Sequence, residues 1–356
     1  MAATFELLGI GNAIVDVIAR CEDSFLAEHR LAKGAMTLID AEEAERLYAA
    51  MGPGVEMSGG SAANTLAAFA SLGGRGAFIG KVADDQLGAV FRHDIRAAGV
   101  AFDTPPANGG APTARCLILV TPDAQRTMNT YLGACVTLSE SDVDEARVAA
   151  SAVTYLEGYL FDPPAAQAAF RKAARVAHAA GRQVALTLSD PFCVDRHREA
   201  FRRLIREEVD ILFANEREIL SLYEVETFEQ ACAAVREETA IACLTRSEKG
   251  SVIVASGGVV EVAAEPTEVV DTTGAGDAYA AGFLWGYVRG RGLAECGRIG
   301  AIAAAEAISH VGARPMVRLA DLVVAPARRL TGDRHSPPRF TLPYVRGGTR
   351  HGPDEP

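Results

Sequence analysis

Residues 268–286 read Glu-Val-Val-Asp-Thr-Thr-Gly-Ala-Gly-Asp-Ala-Tyr-Ala-Ala-Gly-Phe-Leu-Trp-Gly. An apolar pair, Val269-Val270, precedes a glycine turn, and a helical composition begins at the carboxylate Asp277. Gly274 and Gly276 lack a Cβ, so the backbone around Ala275 can turn tightly and aim several N–H groups at one anion. A helix running on from Asp277 adds its positive end to that spot, which predicts an anion site that also keeps Asp277 ionised. A carboxylate beside an anion hole suits a base that takes a proton from a hydroxyl as it attacks a phosphoryl group. The competing role for Asp277 is that of a helix N-cap, where Asp is a preferred residue.

The same logic returns at 58–74, Ser-Gly-Gly-Ser-Ala-Ala-Asn-Thr-Leu-Ala-Ala-Phe-Ala-Ser-Leu-Gly-Gly. Gly59 and Gly60 lead into an Ala-rich helix whose N-terminus a ligand can approach, and Asn64 lies too deep in that helix to cap it. Near the start of the chain, Asn12 and Asp16 stand among apolar residues that read as a strand leaving the core. Polar groups so placed are bonded to backbone or to a hydroxyl-rich ligand. Three familiar motifs fail: Gly80-Lys81 lacks the Walker A surroundings, no Gly-x-Gly pair has its third glycine, and Ser61 is followed by Ala63 where a nucleophile elbow needs glycine.

With 356 residues, 49% hydrophobic and 23% charged, the composition is that of a globular enzyme. No apolar run approaches the roughly 18–20 residues of a membrane span, and no basic region with an apolar core opens the sequence, so the expectation is a cytoplasmic protein. A formal net charge of −11 argues against a nucleic-acid surface. Seven cysteines, no two closer than eleven positions, exclude a Cys-x-x-Cys metal or redox pair.

From 141 to 265, apolar runs alternate with helical stretches, the mark of a parallel sheet wound with helices. Ligands of such sheets bind past the carboxyl ends of the strands, where Glu157, Asp190, Asn215 with Glu218, and Thr245 with the turn ending at Gly250 stand. Residues 100–135 read as a hairpin, which with strands near 14–20 and 34–39 makes a candidate lid, and Arg126 beyond its turn faces solvent or reaches inward to phosphate. Tyr159, just past a strand, is a base-stacking residue or a core tyrosine.

Along about 5–320 the chain resembles the PfkB or ribokinase-like kinases of small molecules, its adenosine kinase-like branch most of all. Asp271-Thr-Thr-Gly-Ala-Gly-Asp277 looks like the family's second signature, and Gly59-Gly60-Ser-Ala-Ala-Asn64 through Gly88 like its first; Asn215-x-x-Glu218 is similar to its Asn-x-x-Glu motif. The resemblance implies an α/β fold, a three-layer α/β/α domain with a mostly parallel sheet and a small β-sheet lid. That domain is expected over 1–325, with lid strands drawn from about 12–40 and 100–132 and a Pro/Arg/Gly-rich tail over 326–356. It also implies roles: Asp277 as base, the N–H groups of Gly274, Ala275 and Gly276 as anion hole, and Arg126 closing over phosphate. Asn12, Asp16, Gly59, Gly60, Asn64 and Tyr159 would hold the acceptor. Asn215, Glu218, Thr245 and Gly250 would meet ATP, with Glu218 acting on Mg²⁺ through water, and Asp271 and Thr273 would hold a monovalent cation such as K⁺. The expected reaction is ATP-dependent phosphorylation of the 5′-hydroxyl of adenosine by a monomer or homodimer. The alternatives are a sugar kinase of the ribokinase or fructokinase type and a nucleotide-binding regulator on the same fold.

Overall fold

A computed structural model of the chain describes residues 3–123 and 125–324; the tail expected over 326–356 lies outside the described residues. Its strands are β1 (Phe5–Ile10), β2 (Ile14–Arg20), β3 (Met36–Leu38), β4 (Gly54–Gly59), β5 (Gly76–Ile79), β6 (Val100–Phe102) and β7 (Ala114–Val120). They continue as β8 (Arg126–Tyr131), β9 (Ser151–Glu157), β10 (Gln183–Thr187), β11 (Ile211–Asn215), β12 (Ile241–Thr245), β13 (Ser251–Ala255) and β14 (Gly258–Val262). Nine form one sheet in the order β14-β13-β12-β11-β10-β9-β1-β5-β6, parallel from β6 through β12 and closed by the antiparallel pairs β12/β13 and β13/β14.

The pleat explains why the strands of this sheet read as continuous apolar runs: alternate residues serve different layers, and both faces are covered. Leu7, Val153, Tyr155, Ala185, Ile211 and Phe213 join one core with the helices Ser61–Ser71, Ala275–Tyr287 and Leu293–Ala307. Their neighbours Leu8, Leu156, Val184, Leu186 and Leu212 join a second core with the helices Pro164–Ala179, Pro191–Glu208, Glu216–Tyr223 and Phe228–Arg236. The result is the three-layer α/β/α arrangement expected from the sequence.

The remaining strands form a second sheet in the order β3-β8-β7-β2-β4. Its hairpin, β7/β8, is the one expected, but two assignments change. Gly54–Gly59 pairs antiparallel with β2 and is an edge strand of this sheet, although it lies outside the segments assigned to the lid. Val100–Phe102 pairs with β5 at the edge of the large sheet instead. Register decides both: β4 runs back along β2 from Gly59 opposite Ile14 to Gly54 opposite Ala19, which delivers the chain to the helix at 61–71.

The helices 275–287 and 293–307 pack closely because glycine faces glycine. A Cβ on Gly282 would lie 2.6 Å from the Ile299 carbonyl oxygen and 2.7 Å from the Gly300 Cα, backbone that cannot step aside. Gly282→Ala is therefore expected to destabilise the protein by about 1–3 kcal/mol, read as a lower midpoint in thermal unfolding. Gly52→Ala, where an added Cβ meets open space, is the control that leaves the midpoint nearly unchanged.

Candidate active site

The order of winding reverses about the adjacent, parallel pair β1 and β9: from β1 the sheet grows through β5 and β6 on one side, and through β9 to β14 on the other. A crevice opens past the carboxyl ends of strands at such a point, and there Glu157 ends β9. Only 1% exposed, its carboxylate accepts from the Asn12 side chain at 2.9 Å and from the backbone N–H groups of Asn12 at 3.3 Å and Ala62 at 2.8 Å. Burial pushes the Glu157 carboxyl up to about 7, against the pull of those three donors. Asn12 Oδ1 is buried and has no partner, an acceptor left over for a hydroxyl.

Asp277 is not the N-cap of its helix. Gly274 holds that position at φ 77°, a left-handed conformation that costs glycine nothing, and a Cβ there would lie 2.7 Å from the Cβ of Ala313. Asp277 sits in the first turn, and its carboxylate accepts from Ser61 Oγ at 2.6 Å and Asn64 Nδ2 at 3.3 Å, both on the facing helix 61–71. Burial raises the Asp277 carboxyl to about 6, with Ser61, Asn64 and the charge of Arg314 opposing it. The helix end does not by itself keep this group fully ionised, as the sequence suggested; desolvation outweighs it. The Ala275 N–H turns onto the Thr272 carbonyl at 3.3 Å, which leaves the N–H groups of Gly276 and Asp277 as the first-turn donors aimed outward. Gly276 itself is exposed.

Around this carboxylate stand residues that the sequence did not single out. Arg314 Nε donates to Asn64 Oδ1 at 2.9 Å, and Arg314 Nη2 donates to the carbonyl and hydroxyl oxygens of Ser58 at 2.6 and 2.9 Å. The Ser58 hydroxyl in turn donates to Asp94. In the sequence Arg314 belongs to a Gly-Ala-Arg-Pro turn, and Ser58 and Ser61 merely flank the two glycines; their convergence is tertiary. Gly59 makes room for Asp16, whose carboxyl carbon would lie 2.4 Å from an added Cβ. Burial raises the Asp16 carboxyl to about 6, with Arg314 and Arg126 pulling it down.

Arg126 reaches inward. Its Nη1 donates to the Asp271 carboxylate and to Thr273 Oγ1 at 2.6 Å, while its buried Nε has no partner. The other Asp271 acceptor sites are filled by the Thr273 N–H at 3.0 Å, the Thr273 hydroxyl at 2.8 Å and the Gly312 N–H at 2.9 Å. Despite burial, these donors and Arg126 hold the Asp271 carboxyl below its ordinary value. A monovalent cation does not fit Asp271 and Thr273 in this arrangement, because a guanidinium and backbone donors already neutralise and fill the carboxylate.

On the other flank, Asn215 caps the helix 216–223 and forms a reciprocal box with Glu218: the Asn215 N–H donates to Glu218 Oε2 at 2.8 Å and the Glu218 N–H to Asn215 Oδ1 at 2.9 Å. Burial, with Asp190 adding like charge, raises the Glu218 carboxyl to about 7. Asn215 and Glu218 are the side chains on this flank whose oxygens could meet a hydrated divalent cation. No cluster of three or more metal-ligating side chains occurs among the described residues. Thr245 ends β12 beside Asn215 in register. Gly250 closes the next turn at φ 83°, its carbonyl accepting from the Arg246 N–H at 2.8 Å. Tyr159 is 39% exposed beyond β9, so it is no core tyrosine; its N–H donates to Ser189 Oγ at 3.0 Å.

A carboxylate at a helix start with first-turn N–H donors beside it, on this layered sheet, is the arrangement a phosphotransferase with a hydroxyl acceptor needs, and the family match makes the chain one. The chain belongs to the pfkB family of carbohydrate kinases, whose model matches residues 35–319. Among solved structures it is similar to an adenosine kinase of Sinorhizobium meliloti, 58% identical, covering 90% of this chain and 98% of that one with a TM-score of 0.83. It is similar, too, to a probable sugar kinase of Rhizobium etli CFN 42, 52% identical, with the same coverage and a TM-score of 0.83. An ATP-dependent ribose-1-phosphate kinase of Halopiger xanaduensis is 31% identical over 229 residues, 64% of this chain and 73% of that protein.

The site has a consequence for stability. Asp16 and Asp277 rise to about 6 and Glu157 and Glu218 to about 7 in the folded state. A carboxyl raised on folding contributes stability that is full below its unfolded value and is lost as pH rises through the folded value. The ligand-free protein is therefore expected to lose thermal stability between about pH 4 and pH 7.5, and Asp277→Asn should flatten that slope; scanning calorimetry across the range checks both.

Proposed function

We propose that this protein is an ATP-dependent nucleoside kinase that phosphorylates the 5′-hydroxyl of adenosine, with Asp277 as general base. The observation that carries the reading is the pairing of Asp277 with Ser61 and Asn64 in the first turn of a helix whose Gly276 and Asp277 N–H groups are left without a backbone acceptor. The Sinorhizobium meliloti adenosine kinase, alike over nearly its whole length, supports adenosine as acceptor.

In this reading the acceptor's sugar lies among Asn12, Asp16, Gly59, Gly60 and Asn64, where Asn12 Oδ1 and the Asp16 carboxylate accept from its hydroxyls. Asp277 takes the 5′-hydroxyl proton as the oxygen attacks the γ-phosphoryl group. Ser61 and Asn64 hold the carboxylate in place before and after the transfer, which lowers the cost of reorganisation. The N–H groups of Gly276 and Asp277, past the turn that Gly274 makes and without the Ala275 N–H, which Thr272 takes, together with Arg126 and its unpartnered Nε, face charge building on the phosphoryl oxygens. Asn215 and Glu218 would hold the Mg²⁺ of Mg·ATP through water, and the ion would supply positive charge against the phosphates. Thr245 and Gly250 line the nucleotide, and Tyr159 offers an exposed ring to the purine. A second reading, a sugar or sugar-phosphate acceptor, is favoured by the likeness to the ribose-1-phosphate kinase.

ADP release over a panel of adenosine, other nucleosides, ribose, ribose 1-phosphate and fructose separates the two. Adenosine is expected to give the highest kcat/KM; faster turnover of a free sugar or sugar phosphate overturns the nucleoside reading. Asp277→Asn should lower kcat by about 10²–10⁴-fold while ATP binding persists. In the intact enzyme kcat should fall below about pH 6 as Asp277 takes up a proton. Exchanging KCl for choline chloride at constant ionic strength should change turnover by less than about twofold, since the Asp271 acceptor sites are filled.

A further inference from the structure

The base is oriented by a chain of contacts that begins outside both glycine motifs. An asparagine amide can present either its oxygen or its nitrogen to a neighbour, and only the nitrogen helps a carboxylate. Asn64 has Asp277 on one side and Arg314 on the other, at 3.3 Å from Nδ2 and 2.9 Å from Oδ1. A guanidinium has no acceptor, so Arg314 Nε fixes Oδ1 toward itself and turns Nδ2 onto Asp277. Arg314 is itself pinned, its Nη2 donating twice to Ser58, whose hydroxyl is tied to Asp94. Arg126, the other cation near this cleft, is committed to Asp271 and Thr273.

We propose that Arg314 is a positioning residue for the phosphoryl transfer: through the Asn64 amide it holds the Asp277 carboxylate in its reactive orientation. The proposal rests on Asp277 being the base. The groups facing Asp277 are otherwise neutral or negative. Helix 61–71 brings Ser61 and Asn64; β2 brings Asp16; β9 brings Glu157 and Tyr155, with Tyr159 just beyond it. Arg314 is the cation whose field acts on Asp277, so removing it leaves carboxylates to dominate, and the proton affinity of Asp277 must rise.

Two measurements on Arg314→Met and Arg314→Lys test this. The first needs no turnover: ¹³C NMR titration of the Asp277 carboxyl in ligand-free protein, assigned with Asp277→Asn. Arg314→Met should move the midpoint upward by about one pH unit, and Arg314→Lys, which keeps the charge, by less than half of that. The second is the pH profile of kcat with the best acceptor. Arg314→Met should lower kcat about 10–100-fold at pH 7 with KM for ATP little changed; its acid limb should shift upward so that part of the loss is recovered near pH 8.5, and Arg314→Lys should restore part of kcat at pH 7. An unmoved NMR midpoint, or a loss equal at every pH and equal in both variants, overturns the proposal. If Arg314→Met does not fold, Ser58→Ala, which removes one anchor of Nη2, should move the midpoint and the limb in the same direction by less, and no movement overturns the proposal. Wild-type protein that turns over no acceptor refutes the kinase reading instead, while the NMR titration still judges Arg314.

Discussion

The buried Glu157 carboxylate is the constraint on which the site depends. It ends β9 at the point where the sheet reverses its winding, and its two oxygens collect donors from the segment after β1 and from the first turn of the helix 61–71. A carboxyl group deprived of water and surrounded by committed donors cannot be moved without leaving several polar groups unpaired at once. It therefore fixes Asn12 and the helix start together. That start carries Ser61 and Asn64, and through them Glu157 determines where the facing carboxylate of Asp277 lies.

The cleft is thus made of carboxylates that each need a different solution. Glu157 is satisfied by neutral donors, Asp271 by a guanidinium and backbone N–H groups, and Glu218 by the capping box with Asn215. Asp16 accepts no bond from a described residue and faces two arginines at longer range. Asp277 lies between these extremes, bonded but not neutralised. A base must hold its orientation and still be free to take a proton, and two uncharged donors with one cation beyond them meet both demands.

The large sheet was legible because both of its faces are buried, so its strands appear as apolar runs between helical stretches. The turn at Gly274 was legible because glycines and a carboxylate at that spacing have few other uses. β4 was not: Gly-Val-Glu-Met-Ser-Gly has neither an apolar run nor clean alternation, and its extended form is imposed by pairing with β2. The start of the helix 191–208 is harder to read from sequence. Asp190 caps it and Pro191 occupies its first turn, a signal present in the sequence, but His197 breaks the helical dihedrals and divides the periodicity. Arg314 was illegible for a different reason. Nothing near it in sequence tells an arginine in a glycine turn that it will meet Asn64, 250 positions earlier.

The raised carboxyls also shape how ligand binding would be measured. Asp16, Asp277, Glu157 and Glu218 lie at about 6 to 7, so in neutral buffer each is protonated in a finite fraction of molecules. A ligand that brings positive charge or hydroxyl donors to them favours the ionised forms and expels protons into the buffer. Heats of association will then contain the ionisation enthalpy of whatever buffer receives those protons. The same complex, titrated in phosphate and in Tris, should yield two different apparent enthalpies, and their difference counts the protons released from the cleft.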